Sequence, residues 1–384
     1  MKRASVIFLI FVSVLYVKGG NTQDYTRYHQ YINKAENCFY IHNQVDSCLH
    51  YYNLAFDNFA FNYVHDLVNA AQIAYFSKKE YKSYLHKAYR YGLQVKHLKQ
   101  IPLFKSDCID EFEKFEQTSS YRKIRNKYLK SINVEHLDWM YEFTIEDQIK
   151  KSSEVNDYVL WWDEQIKVLT AKINQYGFPA NKTIGIESKT IFEELGIPNK
   201  DMKDRVLTHK DKDILCGANY PDFVAFGTDT IWIEKKDNID YCLNVEDDIL
   251  SVSLVMYCLI HYGGLHEISR IDYDTVYKQL QTIWLQEIRK GNLHPREMAV
   301  LHDNMHLIQN TSIEELFGNR RKGIGVGEIF GLDAEYSSLT YDNLFKINEF
   351  RKKYNIVPVE VDAKKKEYEK EYGFKLFWGA YQCL

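Results

Sequence analysis

The sequence predicts a mainly α-helical protein, with an N-terminal antiparallel helical repeat-like module and a helical C-terminal domain carrying a small β-hairpin. Three observations predict it. Apolar residues recur at spacings of three and four through much of the chain, the period of an amphipathic helix. A short segment near the N-terminus echoes itself 33 residues later. The chain is 384 residues long, 45% apolar and 27% charged, which marks it as globular and too long for one compact core. Six prolines exclude collagen-like and proline-rich linker architectures. Lys and Arg number 49 against 53 Asp and Glu, a formal charge of -4. No basic excess supplies the phosphate contacts of nucleic-acid binding, so a DNA or RNA partner is excluded.

The first twenty residues read as an address. Lys2 and Arg3 form a basic start, Ala4 to Val17 is uncharged and apolar, and Lys18-Gly19-Gly20 returns to polar sequence. This is the layout of a secretory signal peptide. The run is shorter than the roughly 20 residues of a membrane span, so an uncleaved anchor is the lesser alternative. No second apolar run is long enough to span a bilayer, so no transmembrane span is expected in the mature chain. An exported chain would end in the periplasm, on the cell surface or outside the cell. There are 7 cysteines. None sits in a C-x-x-C pair, so a zinc ribbon or redox motif has no support. Export would allow Cys38 and Cys48 to form a bridge.

Residues 25–130 read as consecutive helices, within a module bounded at 21–135. Leu49, Tyr52, Phe56 and Phe59 form one face, Val64, Leu67, Ala71 and Ala74 a second, and Tyr81, Leu85, Ala88 and Tyr89 a third. In the echo, YYNLAF at 51–56 aligns with YLHKAY at 84–89, so Tyr51 meets Tyr84, Ala55 meets Ala88 and Phe56 meets Tyr89. Small Ala at a helix crossing with large aromatics beside it suits a helix–turn–helix repeat, and the segment resembles a tetratricopeptide-type repeat. An ordinary antiparallel bundle accounts for the same pattern. If the helices repeat, their concave face binds a protein partner, with Tyr51 and Tyr84 as candidate contacts.

The C-terminal domain spans 136–384. Trp162, Ile166, Leu169, Ile173 and Tyr176 line a long helix closed by Gly177. Phe223 to Gly227 and Ile231 to Lys235 read as the hairpin. Ile249 to Ile260 reads as a buried helix. Val276, Leu280, Trp284 and Ile288 form a stripe stopped by Gly291, and Pro295 opens a helix running to about Gln309. Gly323, Gly325, Gly327 and Gly331 mark a loop without phosphate-binding context. Tyr341 to Lys353 is a helix, and the Lys364-Lys365-Lys366 run, balanced by Glu367, Glu369 and Glu371, reads as a solvated helix face.

The densest polar cluster is His294-Pro295-Arg296-Glu297 followed by His302-Asp303-Asn304-Met305-His306. His302 and His306, four apart on a helix, can share a face and are candidate metal ligands, with His261 or His266 as a third. The Glu of H-E-x-x-H is missing. The bland alternative is a boundary histidine and a solvated one. His261 is either a site residue or a helix C-cap.

Several fragments occur in a telling order: Asp147-Gln148, Asp163, Tyr176-Gly177-Phe178-Pro179 with Gly185, Leu259-Ile260-His261, IRKGNLHP at 288–295, Ala299 to Asp303, and the tail at 354–374. From about residue 137 onward the chain resembles a bacterial domain family of unknown function found in exported proteins. The resemblance implies a pocket built from Asp147, Gln148, His261 and Asp303, but supplies no reaction. The chain departs from the family at Asn304, where Arg is usual, and at Glu315 to Asn319, where Gln with Tyr-Gly-Thr is usual. Residues 200–245 read as an insertion. Three readings follow: an exported scaffold binding protein through its N-terminal helices, a hydrolase with His261 and Asp303 as acid–base pair, assisted by a divalent metal at His302 and His306, or a purely structural envelope component. The cofactor is otherwise unspecified.

Overall fold

The computed structural model describes residues 23–151, 155–186, 190–196, 206–208, 223–226, 230–233, 259, 262, 273–309 and 340–375. Through these the chain is mainly helical. Helices α1 (Thr26–Tyr40), α2 (Val45–Asn58), α3 (Val64–Phe76) and α4 (Lys82–Tyr89) come first. A short α5 (Val95–Leu98) leads to α6 (Ser106–Glu116) and α7 (Ser119–Leu129). Then follow α8 (Val134–Lys151), α9 (Val155–Tyr176), α10 (Asn181–Ile184) and α11 (Thr190–Leu195). Three short strands, β1 (Val206–Thr208), β2 (Phe223–Phe226) and β3 (Thr230–Ile233), pair antiparallel in the order β1-β3-β2. The turn of the expected hairpin, residues 227–229, lies outside the described residues. The last helices are α12 (Tyr273–Lys290), α13 (Pro295–Gln309), α14 (Tyr341–Lys353) and α15 (Val359–Tyr372).

Local chemistry sets several boundaries. Asp24 accepts the Thr26 N–H at 2.9 Å just ahead of α1, and the N-cap residues Thr118 and Thr340 accept from the Tyr121 and Asn343 N–H at the starts of α7 and α14. Pro295 is the first residue of α13, where its missing N–H costs nothing. The stop at the end of α15 is Gly373 in the left-handed region. The long helix and the stripe of α12 follow their apolar spacing. Trp162, Ile166, Leu169 and Ile173 are buried on α9, as are Leu280, Trp284 and Ile288 on α12. The expected buried helix at 249–260 and the glycine loop at 323–331 lie outside the described residues, except that Leu259 is helical and buried.

Two cores form. One lies among α1 to α6 and also takes in Ile186, Val357, Val361 and Phe374. The other gathers Tyr128, Ile132, Trp162, Trp284, Met298, Leu301 and Tyr354 with their neighbours. The end of the chain therefore packs on its beginning, and α15 lies against α1. Two expectations are corrected. Cys38, Cys48 and Cys108 are free thiols, so no Cys38–Cys48 bridge is present. The Lys364 to Lys366 run is not uniformly solvated. Lys365 is buried, because α15 turns that side onto α1, where Glu36 holds the ammonium.

Tyr128 is the joint between the cores. Its ring fills the space above two glycines of positive φ, Gly92 at +104° and Gly185 at +80°. A Cβ at Gly92 would stand 2.5 Å from Tyr128 Cζ, and one at Gly185 would meet the phenol oxygen more closely still. That oxygen accepts the Ile186 N–H at 2.8 Å. Gly185→Ala combines left-handed strain with overpacking and should cost about 2–4 kcal/mol. Urea unfolding checks this; a loss near zero would mean that Tyr128 gives way freely.

Candidate functional site

The fold gathers the first half of the polar run that the sequence grouped, His294 to Glu297, with partners from other helices. The turn between α12 and α13 is pressed against α1 and α3. The Tyr25 N–H donates to the Arg289 carbonyl at 2.8 Å, and the Tyr25 hydroxyl accepts from Phe61 N–H at 2.9 Å. Glu287, also buried, accepts from Phe178 N–H and from the Asn292 amide, which fixes the turn from the other side. The start of α13 is closed locally. The His294 N–H donates to Glu297 at 3.2 Å, and Arg296 N–H donates to His294 Nδ1 at 3.2 Å. This geometry brings His294-Pro295-Arg296-Glu297 into the interior.

Arg296 then enters a chain of alternating charges. Asp362 of α15 accepts from Arg296 Nη2 at 2.7 Å and from Arg351 Nη1 of α14 at 2.6 Å. Arg296 Nη2 lies 3.5 Å from Glu36 Oε2 of α1. Glu36 in turn accepts from Lys365 Nζ at 2.5 Å and from Asn69 at 2.8 Å. Every member is at most 8% exposed. Burial would raise the Asp362 carboxyl, but Arg296 and Arg351 outweigh it and hold its pKa below the usual carboxylate value.

Beside this chain lies a group of imidazoles. His65 and Asp66 open α3, and His29 sits on α1. The His294 ring lies 4.4 Å from that of His65, 5.3 Å from that of His29 and 4.8 Å from the Tyr63 ring, each edge-on. Asp66 accepts the Tyr28 hydroxyl at 3.0 Å. Burial holds all three histidines neutral. His65 is lowered to about 3, while His29 and His294 lie well below their ordinary value. Burial pushes Glu297 up to about 7, against a smaller opposing pull from the His294 N–H. The group thus offers uncharged imidazoles and one carboxylate close together. His65, Asp66 and His294 place ligand-capable atoms within 4.8 Å of one another.

The sequence-selected residues are more scattered. Asp147 is fully buried and accepts from Tyr158 at 2.7 Å and Trp162 Nε1 at 3.1 Å. Asp303 is half-buried, its carboxylate 3.7 Å from His302 Nδ1, and His302 is buried rather than at a solvent edge. His261 and the side chains of Gln148 and His306 lie outside the described residues, so the pairings His261 with Asp303 and His302 with His306 have no geometry. Tyr84 packs inward with its hydroxyl on Asn53, while Tyr51 is half-buried under Lys34. The sequence reading singled out His294, Arg296 and Glu297 but missed their partners. His65-Asp66 carried a signal: a polar pair inside the apolar run VHDLVNAAQIAYF, which α3 buries on all sides.

Two predictions follow from these charges. Asp362→Asn leaves Arg296 and Arg351 buried without their carboxylate and should cost about 3–5 kcal/mol, whereas breaking the exposed Lys364–Glu367 pair by Lys364→Ala should leave stability nearly unchanged. Equal losses in urea would refute the distinction. In chelator-treated protein, the unfolded chain protonates its histidines near pH 6.5 while His29, His65 and His294 stay neutral in the fold. Their share of stability is full above that pH and is lost as pH falls. Glu297, raised by folding, opposes one of them. Burial lowers His136 as well, to about 4, so four histidines less one carboxyl leave about three protons and stability should drop by ~3–4 kcal/mol between pH 6 and pH 5. Urea titrations at the two values test this; a flat profile would mean that the rings charge inside the fold.

No family model, curated protein or solved structure matches the chain.

Proposed function

We propose that the chain is an exported helical scaffold that binds a protein partner through its N-terminal helices, residues 21–135. The observation that carries this reading is a burial pattern repeated at the 33-residue offset of the sequence echo. Tyr52 and Leu85, Ala55 and Ala88, and Phe56 and Tyr89 are buried pair by pair on α2 and α4. Helix α1 packs on α2, and α3 on α4, so each echo segment is the second helix of a pair. Ala at the matching positions lets the backbones approach, as stacked helix pairs require. On this reading the two pairs are units of a tetratricopeptide-like module, and the C-terminal part, with its small hairpin, keeps its resemblance to the exported family of unknown function. Most tyrosines of the module serve its core, so the binding face rests on those that remain accessible, Tyr51 among them.

Among the described residues no helix is long and apolar enough to cross a membrane. The test is site-specific photo-crosslinking in the exporting host. A photoreactive residue at Tyr51 should give a discrete protein adduct. One at Lys366, exposed on α15, should not. No adduct at Tyr51, or the same adducts from both positions, would overturn the reading.

A further inference from the structure

His65, Asp66 and His294 come from opposite parts of the chain and converge in a buried cluster. His294 Nε2 stands 3.6 Å from Asp66 Oδ2, beyond hydrogen-bond reach. Buried as it is, it has no hydrogen-bond partner among the described residues. His29 is in the same condition at its own Nε2, with its ring 5.3 Å from that of His294. Interiors seldom leave such atoms unsatisfied without a reason.

We propose that His65, Asp66 and His294 bind a divalent first-row transition metal of the zinc class, with His29 as the imidazole nearest to the fourth position. The donors fit. Two or three imidazoles and one carboxylate form a borderline nitrogen–oxygen set, unlike the all-oxygen cages of calcium or magnesium. The spacing fits too. Ligands about 2.0–2.1 Å from a tetrahedral ion lie about 3.3 Å from one another; His294 Nε2 and Asp66 Oδ2 close slightly from 3.6 Å, and the His65 donor moves in from within 4.8 Å. Outer support is present, because Tyr28 donates to the Asp66 carboxylate and orients it. The imidazoles are held in the neutral form that a metal requires.

Two features oppose the ion, and both can be accommodated. Arg296 and Lys365 bring positive charge close to His294. Arg296 is paired with Asp362 and Glu36, and Lys365 with Glu36, so their field is largely compensated. In the metal-free form Arg296 N–H donates to His294 Nδ1, which puts the ring proton on Nε2. Metal at Nε2 moves that proton to Nδ1 and gives up the contact, with no net change in the ring's protons. The bound ion would tie the start of α3 to the start of α13.

The experiment uses the full chain, stripped by chelator and titrated with zinc chloride alone by calorimetry, with thermal unfolding alongside. Wild type should take up one ion and melt higher with it. His294→Gln and Asp66→Asn should lose at least ~100-fold in affinity, and His302→Gln should not. No binding by wild type overturns the proposal, as does undiminished binding by His294→Gln and Asp66→Asn. A loss confined to His302→Gln overturns it in favour of the other histidine pair. Should the variants fail to fold, cobalt(II) bound to wild type decides: strong visible bands of four-coordinate nitrogen–oxygen ligation support the site, and the weak spectrum of a six-coordinate ion overturns it.

Discussion

Five charges alternate through the interior, from Arg351 to Asp362, Arg296, Glu36 and Lys365, and the arrangement of the helices depends on keeping them together. They come from α14, α15, α13 and α1. Removing charge from water costs several kcal/mol per ion even after relaxation, so each member is tolerable only beside its partners. Asp66, close enough to act on Arg296, evens the sum to three positive and three negative groups. Apolar residues of similar volume could match such a chain in stability. What it adds is a penalty on every arrangement that separates the charges. A helix that slid by one turn would strand an ion in apolar surroundings.

The helices were legible in the sequence because their signals are local. Pro295 fixed the start of α13, and the apolar spacing of 162 to 173 and of 280 to 288 matched the buried faces of α9 and α12. The site was legible only on one side. His294, Arg296 and Glu297 stood out as a dense polar run. Their partners His29, Glu36, His65, Asp66, Asp362 and Lys365 lie on other helices, and one sequence contains no record of which distant residues meet. Lys365 shows the cost. Its neighbours Lys364 and Lys366 have the composition of a solvated face, and nothing local marks the middle lysine as the one turned inward.

The tyrosines were misleading for a related reason. Tyr84 was expected at a contact surface, yet it is buried, as are Tyr25, Tyr28, Tyr40, Tyr52, Tyr63 and Tyr89. Several do two things at once. Tyr25 supplies a large ring and also satisfies Phe61, Tyr28 does the same for Asp66 and the Tyr63 N–H, and Tyr128 for Ile186. A phenol suits the places where a helix begins against another element, because free backbone groups and apolar area need cover together.

The contact between Glu36 and Lys365 spans 329 positions of the chain. Val357, Val361 and Phe374 complete the same early core. Synthesis runs from the N-terminus at roughly 5–20 residues per second, so the first helices wait roughly 20–60 s for the last to be made. During that interval Glu36 has no lysine and the apolar faces of α1 and α3 lack their lid. The early core is therefore complete only once the residues around 357–374 have been made.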